Sequence, residues 1–317
     1  MLGTLCVDIG GTKLAAAVCD GEGALSHVFA VDTPADATAA QRVLLDLCEV
    51  TADEFRSTGG TLASAGIACG GPLDVHAGVI LSPPNLPGWD EVHVRAAVES
   101  RIGVRAALRN DADAVVLGAT RWGRYAGVRN VVYLTISSGI GAGVVMDGRL
   151  ITGRSGNSSE LGHTVLVVGG RLCACGRSGC AEAYVSGHSI ARRAEELISA
   201  GVAPTLGRGA PITAKDVYLA SSQDRDPVAV RLWDESTRLI GELVANALNT
   251  FEPDLVLLGG GVTLAGEQFI EPVRAAAHDA ALPGNRQTPV CIIQRPDRAA
   301  LIGAGAVGIA LIDQEYR

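Results

Sequence analysis

Two stretches of the chain match one another: LCVDIGGTKLAAAVCDGEG, beginning at Leu5, and VYLTISSGIGAGVVMDGRL, beginning at Val132. With Asp8 set against Thr135, Gly10-Gly11-Thr12 falls on Ser137-Ser138-Gly139, and Asp20-Gly21 falls on Asp147-Gly148 without a gap. Each stretch reads as strand, small-residue turn, strand and an Asp-Gly hairpin signal. A duplicated hairpin constrains the chain to two related lobes. Two unrelated glycine-rich hairpins are the competing reading.

Strands and helices alternate behind each hairpin, which predicts an α/β fold. In the first half a helix is expected from about Pro34 to Phe55, then a strand running into Gly-Gly-Pro at LASAGIACGGPLD. A helix over VHVRAAVESRIG should end at Gly103, followed by a strand at VRAALRND and a helix at ADAVVLGATRWG. In the second half DPVAVRLWDESTRLIGELVANALNTF is a long amphipathic helix with Pro227 near its start. PDLVLLGGGV is a buried strand entering a glycine turn, LGRGAPIT a loop, and LIGAGAVGIALI a last helix. The expected division is an N-terminal lobe over 1–117, joined by a C-terminal helix at 302–317, and a larger lobe over 118–301 that carries a cysteine-rich loop. Ligands in such folds lie at strand carboxyl ends and between domains, so an interlobe cleft is expected.

The 317 residues are 48% hydrophobic and 19% charged, enough to bury cores. With 40 glycines and 4% aromatics, those cores are built from Ala, Val and Leu around many tight turns. The net charge of −8 gives no electrostatic footprint for nucleic acid or an anionic membrane, so a small-molecule partner is expected. Asp8 and Lys13 interrupt the first apolar run, no secretory signal is visible, and no segment has the length of a membrane span. A cytoplasmic protein with reduced thiols follows as the expectation.

In DIGGTK, Asp8 stands at a strand end before Gly10, Gly11, Thr12 and Lys13. Glycine N–H groups, a hydroxyl and a cation suit phosphate. Asp8 would repel a bare phosphate and makes sense through Mg2+, by way of a bound water. The Walker A spacing is absent. Ser137, Ser138, Gly139 and Gly141 offer the same chemistry in SSGIGAG, and Gly259, Gly260 and Gly261 could let a nucleoside lie against backbone. An ordinary hairpin competes at each turn; three turns in one chain favour a nucleotide. Asn110 and Asp111 lie between a strand and a helix, where either could serve as an N-cap and Asp111 could accept a hydroxyl proton during phosphoryl transfer.

His163, Cys173, Cys175 and Cys180 form a Cys3His set suited to tetrahedral Zn2+. A redox pair competes, but Cys173 and Cys175 are one residue apart, not the two of a thioredoxin motif. Four protein ligands would close the site, making it structural. One imidazole nitrogen on zinc would leave the other for a ligand hydroxyl. Glu160 and Glu182 flank the loop and would complete a polyol-binding set, with solvated glutamates as the alternative. Cys6, Cys19, Cys48, Cys69 and Cys291 read as core residues.

Together these residues resemble the ROK family of sugar kinases and related repressors. DIGGTK resembles its N-terminal phosphate motif, ELGH its E-x-G-H motif, and CACGRSGCAE its C-x-C-G-x-x-G-C-x-E motif. GGPLD, SPPNLPGW, NDAD and PDLVLLGGGV follow further family blocks in order, from about Cys6 to Ile312. The resemblance implies an actin-like ATPase (ribonuclease-H-like) fold of two lobes. It implies ATP-dependent phosphorylation of a hexose at its 6-hydroxyl, with Asp111 as base. Asn110, Asp111, Glu160, His163 and Glu182 would hold the sugar, with Gly71 and Asn85 nearby; ATP would lie against Gly10 to Lys13, Ser137 to Gly141 and Gly259 to Gly261. It also implies a homodimer or homotetramer. The phosphate motif begins at Asp8, which leaves no room ahead of it for the winged helix of the family's repressors, so an enzyme is expected rather than a sugar sensor. The chain departs from the family's glucokinases with RNDAD for E-N-D-A-N, Ala181 for tryptophan, SSG for G-T-G, and Ser158 and Ser159 before the glutamate. Glucose is therefore weighed against an amino sugar such as kanosamine or glucosamine, an N-acetylhexosamine and a cyclitol.

Overall fold

The computed structural model describes residues 1–202 and 211–313. Most of LGRGAPIT lies outside them, as do the last residues of the helix expected at 302–317. The chain forms two compact units. The first comprises Met1–Arg129, Gly143–Ser159 and Gln294–Arg317, and the second comprises Asn130–Ala142 and Glu160–Ile293.

The first unit is built on β1 (Leu2–Ile9), β2 (Lys13–Cys19), β3 (Leu25–Asp32), β4 (Thr61–Cys69) and β7 (Ala106–Asn110), in the order β3-β2-β1-β4-β7. β1, β4 and β7 are parallel, and β2 and β3 add antiparallel strands. β5 (Leu73–Asp74) and β6 (Val79–Ile80) form a small separate ribbon. Alternation sorts the strand residues onto two faces. Leu5, Val7, Ile9, Leu14, Ala16 and Val18 enter one core with α1 (Ala37–Ser57) and α2 (Val94–Ile102). Asp36 caps α1 by accepting from Ala39 N–H, and Gly103, at φ 78°, ends α2 as expected.

On the other face lie α3 (Asp111–Arg121) and α9 (Ala299–Asp313). A Cβ at Gly66 of β4 would fall 1.8 Å from Ala304 O, so the α9 backbone rests directly on the sheet. A Cβ at Gly118 of α3 would fall 3.0 Å from Gly303 Cα. Small residues in both helices therefore let backbone meet backbone, which explains why LIGAGAVGIALI is so poor in large side chains.

The second sheet has the order β10-β9-β8-β11-β12, from β8 (Val131–Ile136), β9 (Ile140–Met146), β10 (Arg149–Leu150), β11 (Leu255–Gly259) and β12 (Val290–Ile292). The division between units falls within β9. The helices of this half are α4 (Glu182–Val185), α5 (Gly187–Ser199), α6 (Ala214–Ser222), α7 (Pro227–Phe251) and α8 (Glu267–Ala280). Asp226 caps α7 through the N–H groups of Val228 and Ala229, ahead of Pro227.

Two details differ from expectation. Asp147-Gly148 makes a two-residue turn with φ of 53° and 75°, but Asp20-Gly21 does not. Asp20 Oδ1 instead accepts from Glu22 and Ala24 N–H, and Gly23 takes the left-handed conformation at φ 82°, giving a longer loop. Cys291 is only half-buried, because β12 is an edge strand; Cys6, Cys19, Cys48 and Cys69 are buried as expected. Among the described residues no helix is long and apolar enough to cross a membrane.

Candidate functional site

Ile9, Cys69 and Asn110 are register partners across β1, β4 and β7, so Asp8 and Asp111 sit at the carboxyl ends of parallel strands in one row. Burial pushes the Asp8 carboxyl up to about 7; the Asp111 charge adds to this and Lys13 offsets part of it. Burial likewise raises Asp111, while the N–H groups of Ala112 and of Asp111 itself pull it back. Ala112 N–H is shared between Asn110 Oδ1 at 2.9 Å and Asp111 Oδ1 at 2.7 Å. Of the roles expected for this pair, the N-cap falls to Asn110, and Asp111 is the first residue of α3. Burial lowers the neighbouring Arg109, and the Asp113 charge offsets part of that.

The first small-residue turn is pinned from outside. Gly10 N–H donates to Lys13 O at 3.0 Å, Thr33 Oγ1 donates to Gly10 O at 2.7 Å, and Thr33 N–H donates to Thr12 O at 3.0 Å. Gly11 lies against Asn85, where a Cβ would come within 2.3 Å of the Asn85 carbonyl oxygen. Gly71 faces the Asn110 amide nitrogen and Asn157 Oδ1. Asn157 was not foreseen from sequence. Its side chain bridges the Leu73 backbone, accepting from N–H at 3.1 Å and donating to O at 2.8 Å.

Ser159, one of the departures from the family pattern, carries two local costs. Its φ is 63°, and its buried hydroxyl has no hydrogen-bond partner among the described residues. A glycine would remove both.

In the second unit the Cys3His set comes together as expected, with its ligand atoms within 4.8 Å of one another. Cys173 Sγ is 3.6 Å from His163 Nδ1 and Cys175 Sγ is 3.7 Å from Cys180 Sγ. Those separations suit the edges of a tetrahedron around Zn2+, roughly 3.8 Å between sulfurs for Zn–S bonds of about 2.3 Å. Gly176 and Gly179, at φ 85° and 91°, turn the loop; a Cβ at Gly179 would strike Val167 O at 1.9 Å. With Nδ1 in the cluster, His163 Nε2 points away and lies 4.0 Å from Glu160 Oε2.

The second turn closes through Ser137 N–H to Gly139 O at 2.9 Å, and Ser137 and Ser138 are exposed. Glu182 Oε2 accepts from Ile140 N–H at 2.9 Å, a use of this carboxylate that spacing did not reveal. At the third turn Gly259 packs on Tyr133, and Gly260, at φ 89°, packs on Ile136 O.

The ROK family profile matches residues 4–312, and the chain belongs to that family. It is 32% identical to a glucokinase of Streptomyces coelicolor over 95% of this chain and 96% of that protein. It is 34% identical to an N-acetylmannosamine kinase of Citrobacter koseri over 86% of this chain and 88% of that one. A ROK family glucokinase structure from Streptomyces griseus, in complex with glucose and AMPPNP, superposes with a TM-score of 0.81 at 32% identity, covering 97% of this chain and 99% of that chain.

Between about pH 4 and pH 7 native Asp8 holds a proton that the unfolded chain has released, so its contribution to stability falls as pH rises through that window. Asp8→Asn is expected to raise Tm at pH 8, with the gain vanishing near pH 4. Calorimetric scans of nucleotide-free protein check this, and a pH-independent gain would contradict it. Ser159→Gly is expected to stabilise the protein by on the order of 1 kcal/mol in urea titrations, the relief of strain and of the unpaired hydroxyl exceeding the added chain entropy. An unchanged or lower midpoint would be inconsistent with these costs.

Proposed function

We propose that the protein transfers the γ-phosphoryl group of ATP to a hydroxyl of a hexose or hexosamine, at the 6-position, with Asp111 as general base. The observation that carries this is the Asp111 carboxylate at the end of β7. Burial raises it above the ordinary carboxylate range, and it accepts from Ala112 N–H. Asp111 takes the hydroxyl proton as the sugar oxygen bonds to the γ-phosphorus, and the bond to the bridging oxygen breaks to leave ADP. Asn110 orients Asp111 and, with Glu160, His163 and Glu182, holds the other hydroxyls. Gly71 and Asn85 line the approach.

The turns at Gly10 to Lys13, Ser137 to Gly141 and Gly259 to Gly261 receive the nucleotide. Mg2+, held through Asp8, would neutralise charge on the phosphates. His163, Cys173, Cys175 and Cys180 would hold a structural Zn2+, and their mutual distances fit it. The kinases among the relatives support the reaction class. The presence of both glucokinases and N-acetylmannosamine kinases among them supports a hexose or hexosamine as substrate. A net charge of −8 supports a small-molecule partner over nucleic acid. The reading includes a cytoplasmic location and a homodimer or homotetramer.

Asp111→Asn keeps the acceptor for Ala112 N–H and removes the base. Steady-state ADP release should fall by about 10²- to 10⁴-fold while sugar binding by calorimetry persists. Turnover at the wild-type rate would rule out Asp111 as base.

A further inference from the structure

Glu182 joins the cysteine loop to the second small-residue turn. It follows Cys180 and Ala181 and opens α4. Its Oε2 accepts from Ile140 N–H at 2.9 Å, and the same oxygen would lie 2.8 Å from a Cβ at Gly139. Residue 139 must therefore lack a side chain for the carboxylate to reach. Oε1 lies on the loop side, 3.9 Å from Cys173 Sγ. At the end of the same segment, Gly187 N–H donates to Ser137 O at 2.7 Å. Residues 182 and 187 thus clasp the turn at both arms, one at Ile140 N–H and the other at Ser137 O. Ile140 is buried, so without the carboxylate its N–H would lose its acceptor away from water.

We propose that Glu182 is a positioning residue for the nucleotide turn, through which the Cys3His loop sets the backbone of Ser137 to Gly141. The inference rests on reading that turn as a nucleotide contact. A Glu182 that serves only a sugar hydroxyl predicts no effect when sugar is absent. A positioning Glu182 predicts an effect on nucleotide alone.

The test is calorimetric titration of AMPPNP with Mg2+ into sugar-free, zinc-loaded protein. Glu182→Ala should weaken binding about fivefold or more, the loss expected for one unpaired backbone donor. Glu182→Gln keeps an oxygen acceptor for Ile140 N–H and should stay within about twofold of wild type. Equal losses in both variants would overturn the proposal, because the acceptor survives in one of them. A Ser137→Ala/Ser138→Ala double variant separates the two readings. If it weakens nucleotide binding while Glu182→Ala does not, the turn reading stands and the positioning role falls. If nucleotide binding is indifferent to both changes, the turn reading falls and the inference with it.

Discussion

How closely α9 approaches β4 decides the geometry of the first unit. With backbone seated on backbone at Gly66 and Ala304, and α3 held against α9 at Gly118 and Gly303, neither helix can come closer to what it packs on. α3 begins at Asp111, so the packing that fixes its axis also fixes the carboxylate at its head. β1 and β4 are held in parallel register on the same sheet, which places Asp8 beside that carboxylate. Any side chain at Gly66 or Gly303, alanine's included, would push the helices outward and with them the proposed base.

The two carboxylates carry opposing demands. Each is raised chiefly by burial, and Asp111 further raises Asp8. A base must accept a proton near neutral pH, so a raised Asp111 suits that role. A carboxylate raised to about 7 by its surroundings becomes a ready anion when a cation arrives, which suits an Asp8 that acts through Mg2+. The strain at Ser159 has the same character: a local cost kept beside Glu160, among the residues proposed to hold the sugar.

Much of this was legible in the sequence because it rests on local chemistry. The helix at Ala37–Ser57, the stop at Gly103, the Pro227 start and the Cys3His set are each written in contiguous residues or short spacings. What depends on residues far apart was not. Asn157 bridges Leu73 across 84 positions, and Glu182 reaches Ile140 across 42. The Asp20 loop escaped because a side-chain acceptor, rather than the glycine next to it, sets the turn. α5, α6 and α8 were not anticipated; α8 contains Pro272, which ordinarily argues against a helix interior. The half-exposure of Cys291 follows from strand order, which composition does not encode.

The central claim is phosphoryl transfer from ATP to a sugar hydroxyl, and the most direct measurement is the structure of the product. ATP and Mg2+ would be incubated with glucose, mannose, glucosamine, kanosamine, N-acetylglucosamine, N-acetylmannosamine and a cyclitol in turn, and the products read by phosphorus–proton correlated NMR. The account predicts ADP and a hexose or hexosamine 6-phosphate in equal amounts, with one sugar strongly preferred. ADP formed without a sugar phosphate, or phosphate carried on a different hydroxyl, would contradict it.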